Sequence, residues 1–219
     1  PFCFKQHRRG YNHIRRNTDR MERETAQTMI TLKSLQRSGL GPINFTVVDG
    51  ECLAITGPSG AGKSLLLRAI VDLDPNTGEV TTSELTRSQT AAPDWRKQVV
   101  LLPAESGWWH DKVGDHFTDL SETTKRLALV GLPPDALNWE VARISSGERH
   151  RLGLLRCLER QLDVLLLDEP TASLDLETTL KVEEMLRDLL ANGLTIILVT
   201  HDPDQPARMS CKVLRIEKG

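Results

Sequence analysis

Several things are scarce in this 219-residue sequence, and each scarcity excludes a class of protein. No apolar run is long enough to cross a bilayer. The longest, such as "VLLL" and "TIILV", fall far short of the ~20 residues a spanning helix needs. No signal-peptide h-region is present either. The four cysteines, Cys3, Cys52, Cys157 and Cys211, are scattered without a C-x-x-C spacing. They indicate neither a zinc site nor a disulfide framework, so a reducing, cytosolic setting is the expectation. Charge of one sign is also lacking: the formal net charge of −2 gives no reason to expect a nucleic-acid partner. Aromatics make up only 4%, with a single tyrosine, Tyr11. The rest of the composition, 39% hydrophobic and 26% charged, is that of a globular chain able to bury one sizeable core.

What is there is first a glycine-rich loop, "ITGPSGAGKS". The pattern G-x-x-x-x-G-K-[ST] is filled by Gly57, Gly62, Lys63 and Ser64, with Pro58, Ser59, Gly60 and Ala61 in the free positions. Glycines permit the positive φ angles and close backbone approach that wrapping an anion requires. Successive N–H groups and the N-terminus of the next helix then favour phosphate. Lys63 offers a point charge to the β/γ-phosphates, and the Ser64 hydroxyl a ligand for Mg²⁺. "ECLAIT" before the loop reads as a buried strand and "SLLLRAIVDL" after it as a helix. The loop therefore holds a nucleoside triphosphate, with ATP and Mg²⁺ as the expected ligands.

Residues 1–27 are basic and carry no sustained apolar period, which reads as a mobile extension; contact with anionic lipid or RNA is the other use of such a tail. Met21 could be a natural start, leaving residues 1–20 as upstream sequence. "MITLKSL" and "INFTVVDGECLAITG" pattern as strands, with Asp49-Gly50 as a hairpin turn. "GEVTTSEL" reads as a further short strand, and "DWRKQ" as a helical turn leading into the buried strand "VVLLP". "TTKRLALVGL" has helical spacing and ends at Gly131, before Pro133-Pro134. "SGERHRLGLLRCLER" and "LETTLKVEEMLRDLLANG" are helices; "VLLLDEP", "LTIILVTHD" and "KVLRIEKG" are strands. Strands alternating with helices predict an α/β core with a mainly parallel sheet.

The second acidic motif makes a resemblance specific. "VLLLDEPTASLD" looks like the Walker B strand and D-loop of an ABC-type ATPase. "ISSGERHRLGLLRCL" resembles that family's signature segment, usually written LSGGQ, and "ILVTHD" its switch-histidine strand. The motifs stand in the family's order over nearly all of the chain after residue 28. The resemblance implies a P-loop NTPase core, a small antiparallel β subdomain and an α-helical signature subdomain at about 104–157, all within residues 28–219. It also implies roles. Asp168 would join Ser64 at Mg²⁺, Glu169 would be the general base for the attacking water, and His201 would contact the γ-phosphate. Ser145 and the backbone around Gly147 would grip the γ-phosphate held by a second copy in a head-to-tail dimer, with Asp175 near its axis.

The sequence departs from the family in three places. Where a glutamine usually ends the strand before the helical subdomain, Ala104 stands, and an alanine cannot ligate metal. Glu105 beside it is either a replacement ligand or a solvated acid. Ser146 and Glu148 replace a glycine and a glutamine of the signature. No aromatic in "LQRSGLGP" can stack on adenine, which leaves Arg37 as a guanidinium platform or the base loosely held. Trp108 and Trp109 are adjacent, so one is expected inside and one outside, where it could anchor a helix of a membrane subunit.

The reading is an ATPase subunit that dimerises around ATP, on the inner face of the cell membrane, and drives a separate integral membrane permease. "WRKQVVLLPAESGWW" further resembles a compact bacterial subgroup of iron or metal exporter ATPases. Two alternatives stand beside it: a soluble ABC ATPase for assembly of iron–sulfur centres, and a regulatory nucleotide-binding module. The coiled-coil repair ATPases are excluded, since no sustained heptads lie between the phosphate loop and the signature.

Overall fold

A computed structural model describes residues 28–217, so the basic extension expected at residues 1–27 lies outside the described residues. The chain opens with β1 (Thr28–Arg37) and β2 (Leu40–Val48), then β3 (Cys52–Thr56), the phosphate loop and α1 (Lys63–Ile70). β4 (Thr77–Thr82), α2 (Ala92–Gln98) and β5 (Val99–Leu102) come next. A segment of short 3₁₀ turns carries α3 (Leu120–Leu127) and leads to α4 (Ser146–Cys157). β6 (Val164–Asp168), α5 (Leu176–Ala191), β7 (Thr195–Val199), α6 (Gln205–Arg208) and β8 (Lys212–Arg215) complete it.

Two sheets result. β2-β1-β4 is antiparallel, and β5-β6-β7-β3-β8 is parallel in every pairing. The strand pleat explains how the parallel sheet is buried on both faces. Odd and even residues of β3, β5, β6 and β7 enter different cores. Cys52, Ala54, Val100, Leu102, Leu165, Leu167, Ile196 and Leu198 belong to the core shared with α4 and α5. Leu53, Ile55, Val99, Val164, Leu166, Ile197 and Val199 face α1 and the antiparallel sheet. Trp95 of α2 is fully buried in that second core, its indole N–H donating to the Ile70 carbonyl at 2.9 Å.

Two expectations need correction. Asp49-Gly50 is a turn, with Gly50 at φ 70°, but it closes no hairpin. β2 pairs with β1, while β3 pairs with β7 and β8. The strand "CLAIT" is apolar on both faces, and only the middle of the parallel sheet covers both, so the chain crosses between sheets at this turn. The true hairpin is β1–β2, turning at Gly39 with φ 79°. Second, Cys52 and Cys211 form a disulfide, their Cα atoms 4.5 Å apart. The pairing of β3 with β8 sets Leu53 opposite Lys212, which brings the two preceding residues together. That adjacency depends on a contact 159 residues apart in sequence, which cysteine spacing does not reveal.

Candidate functional site

The parallel strands β3, β6 and β7 end on the same side of the sheet, and each releases a functional segment there. β3 runs into the phosphate loop. Gly57 sits at φ 143°, and a Cβ on it would lie 2.1 Å from the Ile216 carbonyl oxygen, so no side chain fits. Gly60 and Gly62 are also left-handed, at 76° and 90°. The loop then delivers the N-terminus of α1, whose unpaired N–H groups and positive dipole end suit an anion. Lys63 is buried, and its ammonium donates to the carbonyls of Gly57 (2.8 Å) and Pro58 (3.0 Å). Ala61 N–H donates to the Pro58 carbonyl at 3.2 Å, closing the loop's turn.

Ser59, Gly60, Gly62, Lys63, Ser64 and Leu65 line a cavity of about 220 Å³ together with Glu169 and His201. The last two come from the ends of β6 and β7. His201 Nε2 lies 3.2 Å from Glu169 Oε1. Glu169 adopts a left-handed φ of 53°, a conformation costing a non-glycine residue about 1–3 kcal/mol and concentrated at functional sites. Its N–H donates to the Val199 carbonyl at 3.0 Å, so the turn that aims Glu169 is tied to the strand that presents His201.

Asp168 is the last residue of β6 and is buried. Burial raises its pKa; the neighbouring Glu169 charge acts in the same direction, against a hydrogen bond from Ser64. Its Oδ1 is buried without a partner. A buried carboxylate oxygen with no donor, next to an exposed serine hydroxyl at a phosphate loop, is a donor set that suits a hard divalent cation.

A larger cavity of about 760 Å³ shares Gly60 with it and is lined also by Arg37, Pro42, Ile43, Ala61 and residues 214–217. No aromatic ring lines it among the described residues. Arg37 is there, and one of its guanidinium nitrogens pairs with Asp74. Neither Ala104 nor Glu105 lines either cavity, and both are exposed. On α4, burial lowers the pKa of His150 against the opposing influence of the Ala104 backbone and the Asp168 and Glu169 charges, and its Nε2 is unpartnered. Sequence reasoning passed over His150 because a histidine within a helix carries no motif signal.

Ser145 and Gly147 are not brought to this chain's own phosphate loop. Ser145 caps α4 in a capping box: its hydroxyl donates to Glu148 Oε2 at 2.8 Å and accepts the Glu148 N–H at 3.2 Å. Gly147 is buried against the turn after β6; a Cβ there would meet the Ser173 carbonyl oxygen at 3.0 Å. Asp175 caps α5 through the Thr178 N–H at 2.8 Å, which lowers its pKa. Beside it Leu176 is 68% exposed, and Leu180 one turn on is exposed as well. As expected, the tryptophans divide: Trp108 is half-buried and Trp109 is 68% exposed, both under the Arg156 guanidinium.

The family described as ABC transporter matches residues 40–172. The chain is 36% identical over 202 residues to the aliphatic sulfonates import ATP-binding protein SsuB 2 of Mesorhizobium japonicum, covering 87% of this chain and 78% of that one. It is 31% identical over 235 residues to the methionine import ATP-binding protein MetN of Brucella abortus, covering 96% of this chain and 63% of that one. Among solved structures it resembles an ATP-bound bacterial Atm1-family ABC exporter, with a TM-score of 0.75 at 22% identity over 88% of this chain and 38% of that chain. A dimeric ATP-binding cassette bound to ADP and Pi in a post-hydrolysis state gives 0.71 at 22% identity, over 87% of this chain and 95% of that chain. At that identity the two structures support the fold alone.

Proposed function

Since the chain belongs to the ABC transporter family and is an ABC-type ATPase, we propose that it hydrolyses ATP between two head-to-tail copies to drive a separate membrane permease. The observation that carries this is the single cavity where the phosphate loop, Glu169 and His201 meet, with the two side chains 3.2 Å apart. The triphosphate lies along Gly57–Ser64 and the base in the adjoining groove beside Arg37, Pro42 and Ile43. Glu169 takes the proton of the attacking water, and His201 orients that carboxylate and reaches the γ-phosphate. Ser64 and Asp168 would hold Mg²⁺, which would supply positive charge against the phosphates. Ser145 and the N–H groups around Gly147 complete the site of the second copy, and the exposed Leu176 beside Asp175 supports a face buried in that dimer.

The subunit works on the inner face of the membrane, and no described helix is long and apolar enough to cross it. Trp109 is the anchor we assign to the permease. Residues 104–157 are the signature subdomain that carries it, within a cassette spanning residues 28–219. The relatives serve import, one set of sulfonates and one of methionine, so the cassette is shared across cargoes and cargo is set by the permease. The relatives favour transport over an assembly factor, and the paired Glu169 and His201 favour hydrolysis over a regulatory module. Lys63→Ala tests the reading: equilibrium titration with a fluorescent ATP analogue should show tight binding lost. Affinity equal to the parent protein would overturn the assignment of the phosphate loop.

A further inference from the structure

Glu169 and His201 are presented by turns that have left the sheet. β6 stops at Asp168 and β7 at Val199, so the strands alone do not fix the turns beyond them. Behind both turns lies Glu183, in the middle of α5 and fully buried. A buried carboxylate is costly unless charge and hydrogen bonds compensate it. Here they do. Arg208 Nε donates to Glu183 Oε2 at 2.8 Å and Nη2 to Oε1 at 2.7 Å, a two-point pair of the strongest geometry. Gln205 Nε2 donates to the same Oε1 at 3.0 Å.

Each partner also reaches one catalytic turn. Gln205 Nε2 lies 3.0 Å from Thr171 Oγ1 as donor, and Thr171 is two residues after Glu169. Arg208 Nη2 donates to Asp202 Oδ2 at 2.6 Å, and Asp202 is the residue immediately after His201. Asp202 in turn accepts the Asp204 N–H at 2.9 Å, and its own N–H donates to Thr200 Oγ1 at 3.0 Å, which folds the turn around His201. The arrangement is directional: one buried anion, two bridging side chains, two turns.

We propose that Glu183, through Arg208–Asp202 and Gln205–Thr171, is the positioning group that holds His201 and Glu169 in register for hydrolysis. None of the five residues touches the phosphate cavity, so they act through the catalytic pair. α5 is capped by Asp175, on the face assigned to the dimer, so the helix proposed to meet the second copy also carries this anchor. The inference rests on the reading of Glu169 and His201 as the catalytic pair.

The test separates positioning from folding. Asp202→Asn removes the charge and one of the two acceptor oxygens from the arm to His201, at a partly exposed side chain, and leaves the buried Glu183–Arg208 pair intact. Glu183→Gln keeps shape and one acceptor but removes the anchoring charge. Displacing reacting groups by about 1 Å costs on the order of 100-fold, so Asp202→Asn should lower kcat by about 10–100-fold. Its KM, its affinity for a fluorescent ATP analogue and its melting temperature should match the parent. Glu183→Gln should lower kcat likewise, and Glu183→Asp should restore part of it. An unchanged kcat in Asp202→Asn, or a fall in kcat matched by falls in affinity and melting temperature, overturns the proposal. The parent and Glu169→Gln run alongside. A parent with no activity, or Glu169→Gln as active as the parent, overturns the catalytic reading and this inference together. An active parent, an inactive Glu169→Gln and a fully active Asp202→Asn overturn this inference alone.

Discussion

Asp168 shows how a single residue carries conflicting demands. Burial raises its pKa, so the ligand-free fold carries a penalty for the ionised form at neutral pH. For a group raised on folding, the stabilising contribution is complete below its unfolded value and is lost as pH rises through the folded one. Asp168→Asn removes the charge and keeps the shape. It should raise the melting temperature of the ligand-free protein at pH 7, by about 2–4 °C for each kcal/mol relieved, and abolish the Mg²⁺ dependence of ATP-analogue binding. A lower melting temperature together with intact Mg²⁺ dependence would contradict both the burial cost and the metal role. The motif identifies Asp168 from sequence, as it does Lys63, Ser64 and Glu169. It does not reveal the left-handed φ of Glu169, whose N–H is bonded to the Val199 carbonyl. His150, Gln205 and Glu183 carry no motif at all, and their roles depend on which helix face the fold turns inward.

At the scale of elements, the apolar runs were the most legible feature. "VLLLD" and "TIILV" have the length and uniform apolarity of strands covered on both faces, and β6 and β7 are buried at every position. Pairings were not legible. The Asp49-Gly50 turn has hairpin chemistry but joins two sheets, and the disulfide of Cys52 arises from the β3–β8 pairing. The α4 N-terminus shows a similar limit: the resemblance singles out Ser145 and Gly147, while the structure shows Ser145 as the helix cap and the Ser173 carbonyl packed beneath Gly147. Gly147→Ala gains about 1 kcal/mol of helix propensity and incurs about 1–3 kcal/mol of overpacking, so its melting temperature is a poor readout. Its hydrolysis rate is informative, because the displaced turn leads to Asp175 and the face of α5. Activity should fall while ATP-analogue affinity holds. Undiminished activity would show that the contact between α4 and this turn is without consequence for the site.

On the scale of the whole molecule, the residues proposed for hydrolysis fall into two separate groups. The phosphate loop, Glu169 and His201 share a cavity, whereas Ser145 and Gly147 stand on α4 apart from it. Leu176 and Leu180, one turn apart on α5, are both exposed on the face proposed for the second copy. An account in which two copies complete each other's sites has a direct consequence for concentration. The decisive measurement is Mg-ATP hydrolysis per chain against protein concentration, with Glu169→Gln beside the parent. The account predicts specific activity that rises with concentration toward a plateau and is abolished in the variant. Specific activity constant across the whole range, or retained in Glu169→Gln, would contradict it.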